Sequence, residues 1–188
     1  MVLRMPATQA PPVTRHDYAL LPEGPPYFQL IEGDLYMAPS PNRFHQATNR
    51  ELFYVLEDYL KRNPVGELFC APFDVYLSDL NAYQPDLLFI RKENLGIVKD
   101  HGIEGAPDLV IEILSPATAK YDLGPKRAIY ARTGVQELWI VDPARRTLAL
   151  YRLGEDAATP IATFSESQTF SSTFFPGLTI ALADVFIT

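Results

Sequence analysis

One cysteine, one tryptophan, three histidines and three methionines are all that this 188-residue chain holds of those residue types. A lone cysteine, Cys70, excludes an internal disulfide and any cysteine-built zinc cluster, and it suits a reducing compartment, so a cytoplasmic location is expected. No apolar run approaches the roughly 18 residues of a membrane span, so no membrane partner is expected. The first residues, Met1 to Val13, include Arg4 but lack the apolar stretch of a secretory signal. Their proline and alanine content predicts a flexible tail over 1–16, ahead of a single domain over 17–188. Also missing are G-x-S-x-G, the P-loop, G-x-G-x-x-G and H-E-x-x-H, and with them the chemistries those motifs carry. Positive charge is scarce as well. Lysine and arginine total 16 against 23 aspartates and glutamates, a net charge of −7. Taken over the whole chain, that balance argues against a nucleic-acid surface. The distribution is uneven, however. From Ser115 to Arg152 seven basic residues face three acidic ones, a local net of +4 that leaves −11 for the rest. This stretch either offers a phosphate a basic surface or is a mixed solvated face.

What is present reads as one globular α/β chain, with 47% hydrophobic and 21% charged residues. Tyr27 to Ile31 and Asp34 to Met37 flank Glu32-Gly33, a pattern that predicts a hairpin. After the turn Pro39-Ser40-Pro41-Asn42, Leu52, Val55, Leu56, Tyr59 and Leu60 form a helical stripe, predicting a helix over about 43–62 that Asn63-Pro64 and Gly66 end. Strands are expected around Glu67–Cys70, Phe73–Leu77 and Pro85–Ile90. The polar stretch Arg91–Ala106 reads as a long surface connection. A second helix is expected over about 122–133, with Asp122 as N-cap, Pro125 in the first turn and Gly134 at its end. It joins two apolar strands, Asp108–Leu114 and Glu137–Val141, as a crossover does, which predicts a mixed sheet. Trp139 lies in the second of these and is expected in the core. Thr147–Leu153 and Pro160–Phe164 read as antiparallel additions, and Pro176–Thr188 as a last strand with a short helix.

Two segments echo each other: Gln84-Pro85-Asp86 followed by Leu87–Ile90, and Pro107-Asp108 followed by Leu109–Leu114. The second carries Glu112 inside an apolar strand, where an ionised carboxylate costs several kcal/mol unless something compensates it. A metal ion is one such compensation, and two neighbouring strands can each supply an acid. Asp108 and Glu112 are about 13 Å apart along one strand, too far to share an ion. Asp86 is within reach if its strand lies beside that of Glu112, about 4.8 Å away. Asp86 and Glu112 are therefore the expected ligands, and Asp108 is expected to bond backbone where its strand starts. A turn role for Asp86 is the alternative. Carboxylate-held magnesium sites that cut phosphodiesters also need a group to offset developing charge. Lys126 follows on the next helix, and Lys120 competes; six helical residues turn about 240°, so both cannot face one site. Core packing is expected for Tyr130, four residues after Lys126.

These residues resemble the PD-(D/E)XK nuclease superfamily, the restriction-endonuclease-like fold, and more narrowly the Uma2 family of endonucleases. The resemblance spans roughly Tyr27 to Phe186. It rests on Leu30-Ile31-Glu32-Gly33-Asp34-Leu35, Pro39-Ser40-Pro41 with His45, Gln84-Pro85-Asp86 and Ala106 through Pro116. Asp122-Leu123-Gly124-Pro125-Lys126-Arg127 with Tyr130, then Glu137 through Pro143, complete it. The resemblance implies a core of helix, three strands, helix and strand. It implies Mg²⁺ or Mn²⁺ held by Asp86 and Glu112, with the backbone carbonyl of Ile113 as a further ligand. The superfamily lysine stands two residues after its glutamate; here that position is Leu114, and the resemblance moves the lysine to Lys126. It adds Glu32 as an acidic site residue, for which a plain hairpin turn is the alternative. It also adds His45 as a base or phosphate contact, for which a capping or packing role is the alternative.

The function expected is a metal-dependent endonuclease acting on DNA. Leu114 and the acidic charge support the alternative of a catalytically inactive nuclease-fold binding or assembly module. A metal phosphodiesterase for small nucleotides is a third reading. Apolar edges in the added strands also suggest a homodimer.

Overall fold

The computed structural model describes residues 11–22, 24–38, 40–116 and 119–186. A helical turn, α1 (Arg15–Tyr18), precedes the hairpin β1 (Phe28–Ile31) and β2 (Asp34–Met37), and the long helix α2 (Arg43–Arg62) follows. Next come β3 (Gly66–Cys70), β4 (Val75–Ser78), β5 (Asn81–Tyr83) and β6 (Leu87–Arg91). A 3₁₀ segment (Lys92–Ile97) leads to β7 (Val98–Lys99), β8 (Gly102–Glu104) and β9 (Leu109–Ile113). The chain then passes through α3 (Ala119–Tyr121), a π-helical stretch (Asp122–Lys126) and α4 (Arg127–Thr133). Last are β10 (Glu137–Asp142), β11 (Thr147–Arg152), β12 (Ala162–Ser165), β13 (Thr169–Phe170), β14 (Ile180–Ala181) and α5 (Leu182–Val185).

Among the described residues the strands form two six-stranded mixed sheets and one small pair. One sheet runs β2-β1-β5-β4-β8-β7 and the other β12-β11-β10-β9-β6-β3, while β13 pairs with β14. In the second sheet β9 and β10 are parallel. A parallel pair needs a crossover, and the helices from Ala119 to Thr133 supply it. Alternation along β9 sorts its side chains. Leu109, Ile111 and Ile113 pack in the cluster that holds Leu52, Leu56 and Trp139. Val110 faces the other way, with Ile129 and Tyr130. Glu112, two residues after Val110, therefore points to the α4 side.

Two expectations are corrected. Arg91–Ala106 is not a plain connection: β8 adds to β4 in parallel, and Ile103 is fully buried. Polar residues and glycines mask this, although Leu95, Ile97 and Val98 pack with Ile103 in one buried cluster. Asp122 is not an N-cap. Helical geometry already begins at Ala119, and Asp122 lies inside a π turn with its side chain buried. Pro125 accounts for the widened turn, since a proline has no N–H to give an α-helical bond and its ring crowds the preceding turn. Gly134 ends α4 at φ 104, a left-handed cap.

Residues 1–10 of the expected tail lie outside the described residues, as do Ile187 and Thr188 of the last segment. From Val13 onward the chain is tied down. Val13 N–H donates to the Gly33 carbonyl, and Arg15 forks onto Glu104 at 2.6 and 2.9 Å.

Gly66 opens β3 opposite Arg91. A methyl group there would strike the Ile90 carbonyl oxygen and press the Phe89 ring at 2.6 Å. Gly66→Ala is expected to cost about 1–3 kcal/mol through overpacking. The urea midpoint, read at unchanged slope, checks it. A loss under about 0.5 kcal/mol would show that β3 shifts freely.

Candidate active site

β6 and β9 run antiparallel with Leu87 opposite Ile111, so one step further Asp86 stands opposite Glu112. The two acids come from adjacent strands at one end of the sheet. Asp86 is held from two sides. Its Oδ2 accepts the Ile113 N–H at 2.7 Å, and its Oδ1 lies 3.1 Å from His45 Nε2. His45 sits in the first turn of α2, where Asn42 caps the helix by accepting the Phe44 and His45 N–H groups. His45 is 8% exposed. Burial works against its charged form, but the hydrogen bond and charge of Asp86 outweigh that and raise its pKa above the ordinary value.

Glu112 belongs to a buried array carried by the crossover helices. Its Oε1 lies 2.5 Å from Lys126 Nζ and accepts the Tyr130 hydroxyl at 2.6 Å. Lys126 also donates to Asp122 Oδ1 at 2.9 Å. Asp122, Lys126 and Tyr130 are four residues apart in turn, which brings them to one helix face. Asp122, Glu112 and Lys126 are each no more than 3% exposed. Burial pushes the Glu112 carboxyl up to about 8 while Lys126 pulls the other way. Burial also opposes the Lys126 ammonium, but Asp122 and Glu112 outweigh it and hold its pKa above the ordinary lysine value. The compensation for a mid-strand glutamate is thus already partly within the protein: one ammonium and one phenol.

The sequence-derived residues divide accordingly. Asp86, Glu112, Lys126 and His45 line one cleft of about 650 Å³, joined there by Asp122. Lys120 is exposed, with its ammonium 4.6 Å from the Tyr121 ring centre, and does not line the cleft. Glu32 occupies the hairpin turn at φ 52, pairs with Arg132 at 3.8 Å and also lies outside the cleft lining. Asp108 accepts the Arg91 N–H and Nε, each at 2.8 Å, where β9 begins. Asp122 and Tyr130 were given other tasks by sequence: a helix cap and core packing. The signal that marks them is the four-residue spacing on both sides of Lys126.

Carboxylate oxygens suit a hard divalent cation. Asp86 and Glu112, one from each strand, open on the cleft, and that donor set fits Mg²⁺ or Mn²⁺. Among the described residues no group of three or more histidine, cysteine, aspartate or glutamate side chains is arranged to hold an ion.

Residues 15–183 match the model of the Uma2 family, described as "Putative restriction endonuclease". The chain belongs to that family, and so to a family of nuclease type. A solved structure, "a putative nuclease belonging to DUF820" from Anabaena variabilis, aligns with a TM-score of 0.77 over 93% of this chain and 98% of that one. At 23% identity the likeness establishes a shared fold, the restriction-endonuclease-like arrangement. No curated protein matches the chain. Among the described residues no helix is long and apolar enough to cross a membrane.

Proposed function

We propose that this protein is a metal-dependent endonuclease that hydrolyses phosphodiester bonds of DNA. The observation that carries the reading is the register: Asp86 and Glu112 stand opposite each other on β6 and β9, beside a buried lysine and at the floor of an open cleft. Asp86, Glu112 and the Ile113 carbonyl would hold Mg²⁺ or Mn²⁺. When bound there, the ion supplies a Lewis acid for the phosphoryl group and lowers the pKa of water. The other roles fall to this chain. Asp86 is oriented by Ile113 N–H and His45, so its carboxylate is set before substrate arrives. Lys126, fixed between Asp122 and Glu112, keeps a positive charge beside the pair to offset charge developing on phosphate oxygens. Tyr130 holds the Glu112 carboxyl in place from the buried side.

Plasmid cleavage in Mg²⁺ or Mn²⁺, by the unaltered protein and by Asp86→Ala, tests the reading. Asp86→Ala is expected to lose about 10²-fold or more, the several kcal/mol that a metal contributes. Equal rates for the two proteins, or no cleavage of plasmid or of single-stranded circular DNA with either ion, would reject it.

One observation favours a second reading, a nuclease-fold binding or assembly module without activity. Lys126 is already saturated by two carboxylates, and Leu114 stands where the superfamily lysine belongs. The thermal response to Mn²⁺ separates the two readings.

A further inference from the structure

Four buried side-chain polar atoms among the described residues have no hydrogen-bond partner: Gln29 Oε1, His45 Nδ1, Asn49 Oδ1 and Arg146 Nε. The first three belong to residues that line the cleft of Asp86 and Glu112. A buried polar atom left unpaired costs stability, so three in residues lining one cleft call for partners that the chain does not itself provide. His45 and Asn49 lie four apart on α2 and share a face. Gln29 reaches the cleft from β1. Pro25, Pro26, Tyr27, Met37 and Pro72 give the lining an apolar side, while Ser40, Gln46 and Gln84 add further polar groups. Only two lining residues among those described can carry positive charge, His45 and Lys126, and each stands beside a carboxylate. A duplex grip needs a row of cations on phosphates, and this cleft lacks one. Amides beside an apolar side suit a different object.

We infer that the cleft takes one unpaired nucleobase of the substrate strand, with the amides of Gln29 and Asn49 bonding its edge and Tyr27 stacking on its face. The inference rests on the nuclease reading for its placement beside the carboxylates. A primary amide presents a donor and an acceptor side by side, the complement of the adenine N6/N7 edge. The cleft volume is within the range of small-ligand sites. A base in a stacked duplex cannot enter, so the substrate class is single-stranded or locally unpaired DNA. A second hollow of about 480 Å³ shares Pro26, Tyr27, Pro72 and Gln84 with the first and is walled by Tyr18, Phe73 and Tyr76. It offers the neighbouring nucleotide a place, which favours a strand over a free mononucleotide.

Fluorescence anisotropy on the full chain, without Mg²⁺ or Mn²⁺ so that nothing is cut, tests this with three labelled probes. One is an abasic oligonucleotide carrying a single adenine, the second is entirely abasic, and the third is a blunt duplex. The adenine probe is expected to bind roughly tenfold tighter than the abasic one. Gln29→Ala and Asn49→Ala are each expected to weaken the adenine probe by roughly three- to tenfold and leave the abasic probe unchanged. Tyr27 is 39% exposed, so Tyr27→Ala keeps the fold and should remove the adenine preference even if an amide variant misfolds. Equal binding of adenine and abasic probes, tightest binding to the duplex, or amide variants that bind the adenine probe normally would each overturn the inference. Cleavage of duplex plasmid alongside any of those outcomes would leave the nuclease reading standing. Adenine-selective binding with no cleavage under any metal would reject the nuclease reading and keep the base pocket.

Discussion

Lys126→Met is expected to lower unfolding stability by about 3–5 kcal/mol, the range for removing one partner of a buried ion pair. The reason is what remains. Asp122 and Glu112 stay buried with no ammonium between them, and the Tyr130 hydroxyl can satisfy only one of them. The pair itself is no great source of stability, because desolvating it offsets most of the attraction; breaking it is what costs. Domains typically hold 5–15 kcal/mol in all, so a fall of this size brings the variant near its folding threshold. Urea denaturation reads the loss directly. The double variant Lys126→Met/Glu112→Gln should recover part of it, since one of the two stranded carboxyls becomes a neutral amide. A single-variant loss under about 1 kcal/mol would mean that the carboxyls find other partners and that Lys126 is not the charge holding them.

Glu112→Gln is expected to separate chemistry from stability. In the nuclease reading the unaltered protein should be stabilised by Mn²⁺. At one hundred times the dissociation constant the gain is about 2.7 kcal/mol. For a chain of this length that corresponds to roughly 5–10 °C in melting temperature. Glu112→Gln should abolish that shift and reduce cleavage by about 10²-fold or more. Its stability without metal should stay within about 1 kcal/mol of the original, because the amide oxygen still accepts from Tyr130 and Lys126 keeps Asp122. The assembly-module reading predicts no Mn²⁺ shift in either protein. A shift of equal size in both would place the ion away from Glu112 and reject the proposed site.

The two predictions bear on a glutamate whose burial is plain in sequence but whose company is not. Leu109–Leu114 is apolar on both sides of Glu112, and that pattern alone marks an ionisable group in a core. The partner proposed from it was a metal ion. The fold supplies Lys126 and Tyr130 from the crossover, and both reach Glu112 Oε1. Counting helical turns sets Lys120 and Lys126 on different faces without choosing between them; the family likeness points to Lys126, and part of the path is π-helical rather than α-helical. Glu32, drawn in by family likeness, ends at an exposed turn beside Arg132, away from the cleft.

Local periodicity carries its own answer wherever neighbours along the chain decide the outcome. The stripe from Leu52 to Leu60 defines α2, Glu32-Gly33 makes the β1–β2 hairpin, and Gly134 ends α4. The largely apolar β9 and β10 already read as interior strands joined by a helix. These are effects of side-chain spacing and backbone freedom over a few residues, and distant contacts did not reverse them. Register, desolvation and unmet hydrogen bonds are of another kind, because each depends on segments far apart in sequence. Asp86 stands opposite Glu112 only because β6 slides to one alignment against β9. Lys126 is buried only because the crossover packs over that strand end. Gln29 and Asn49, twenty residues apart and unremarkable in sequence, meet in one cleft only once the hairpin and α2 are placed. For such residues the chain specifies the chemistry of the groups, and packing assigns their partners.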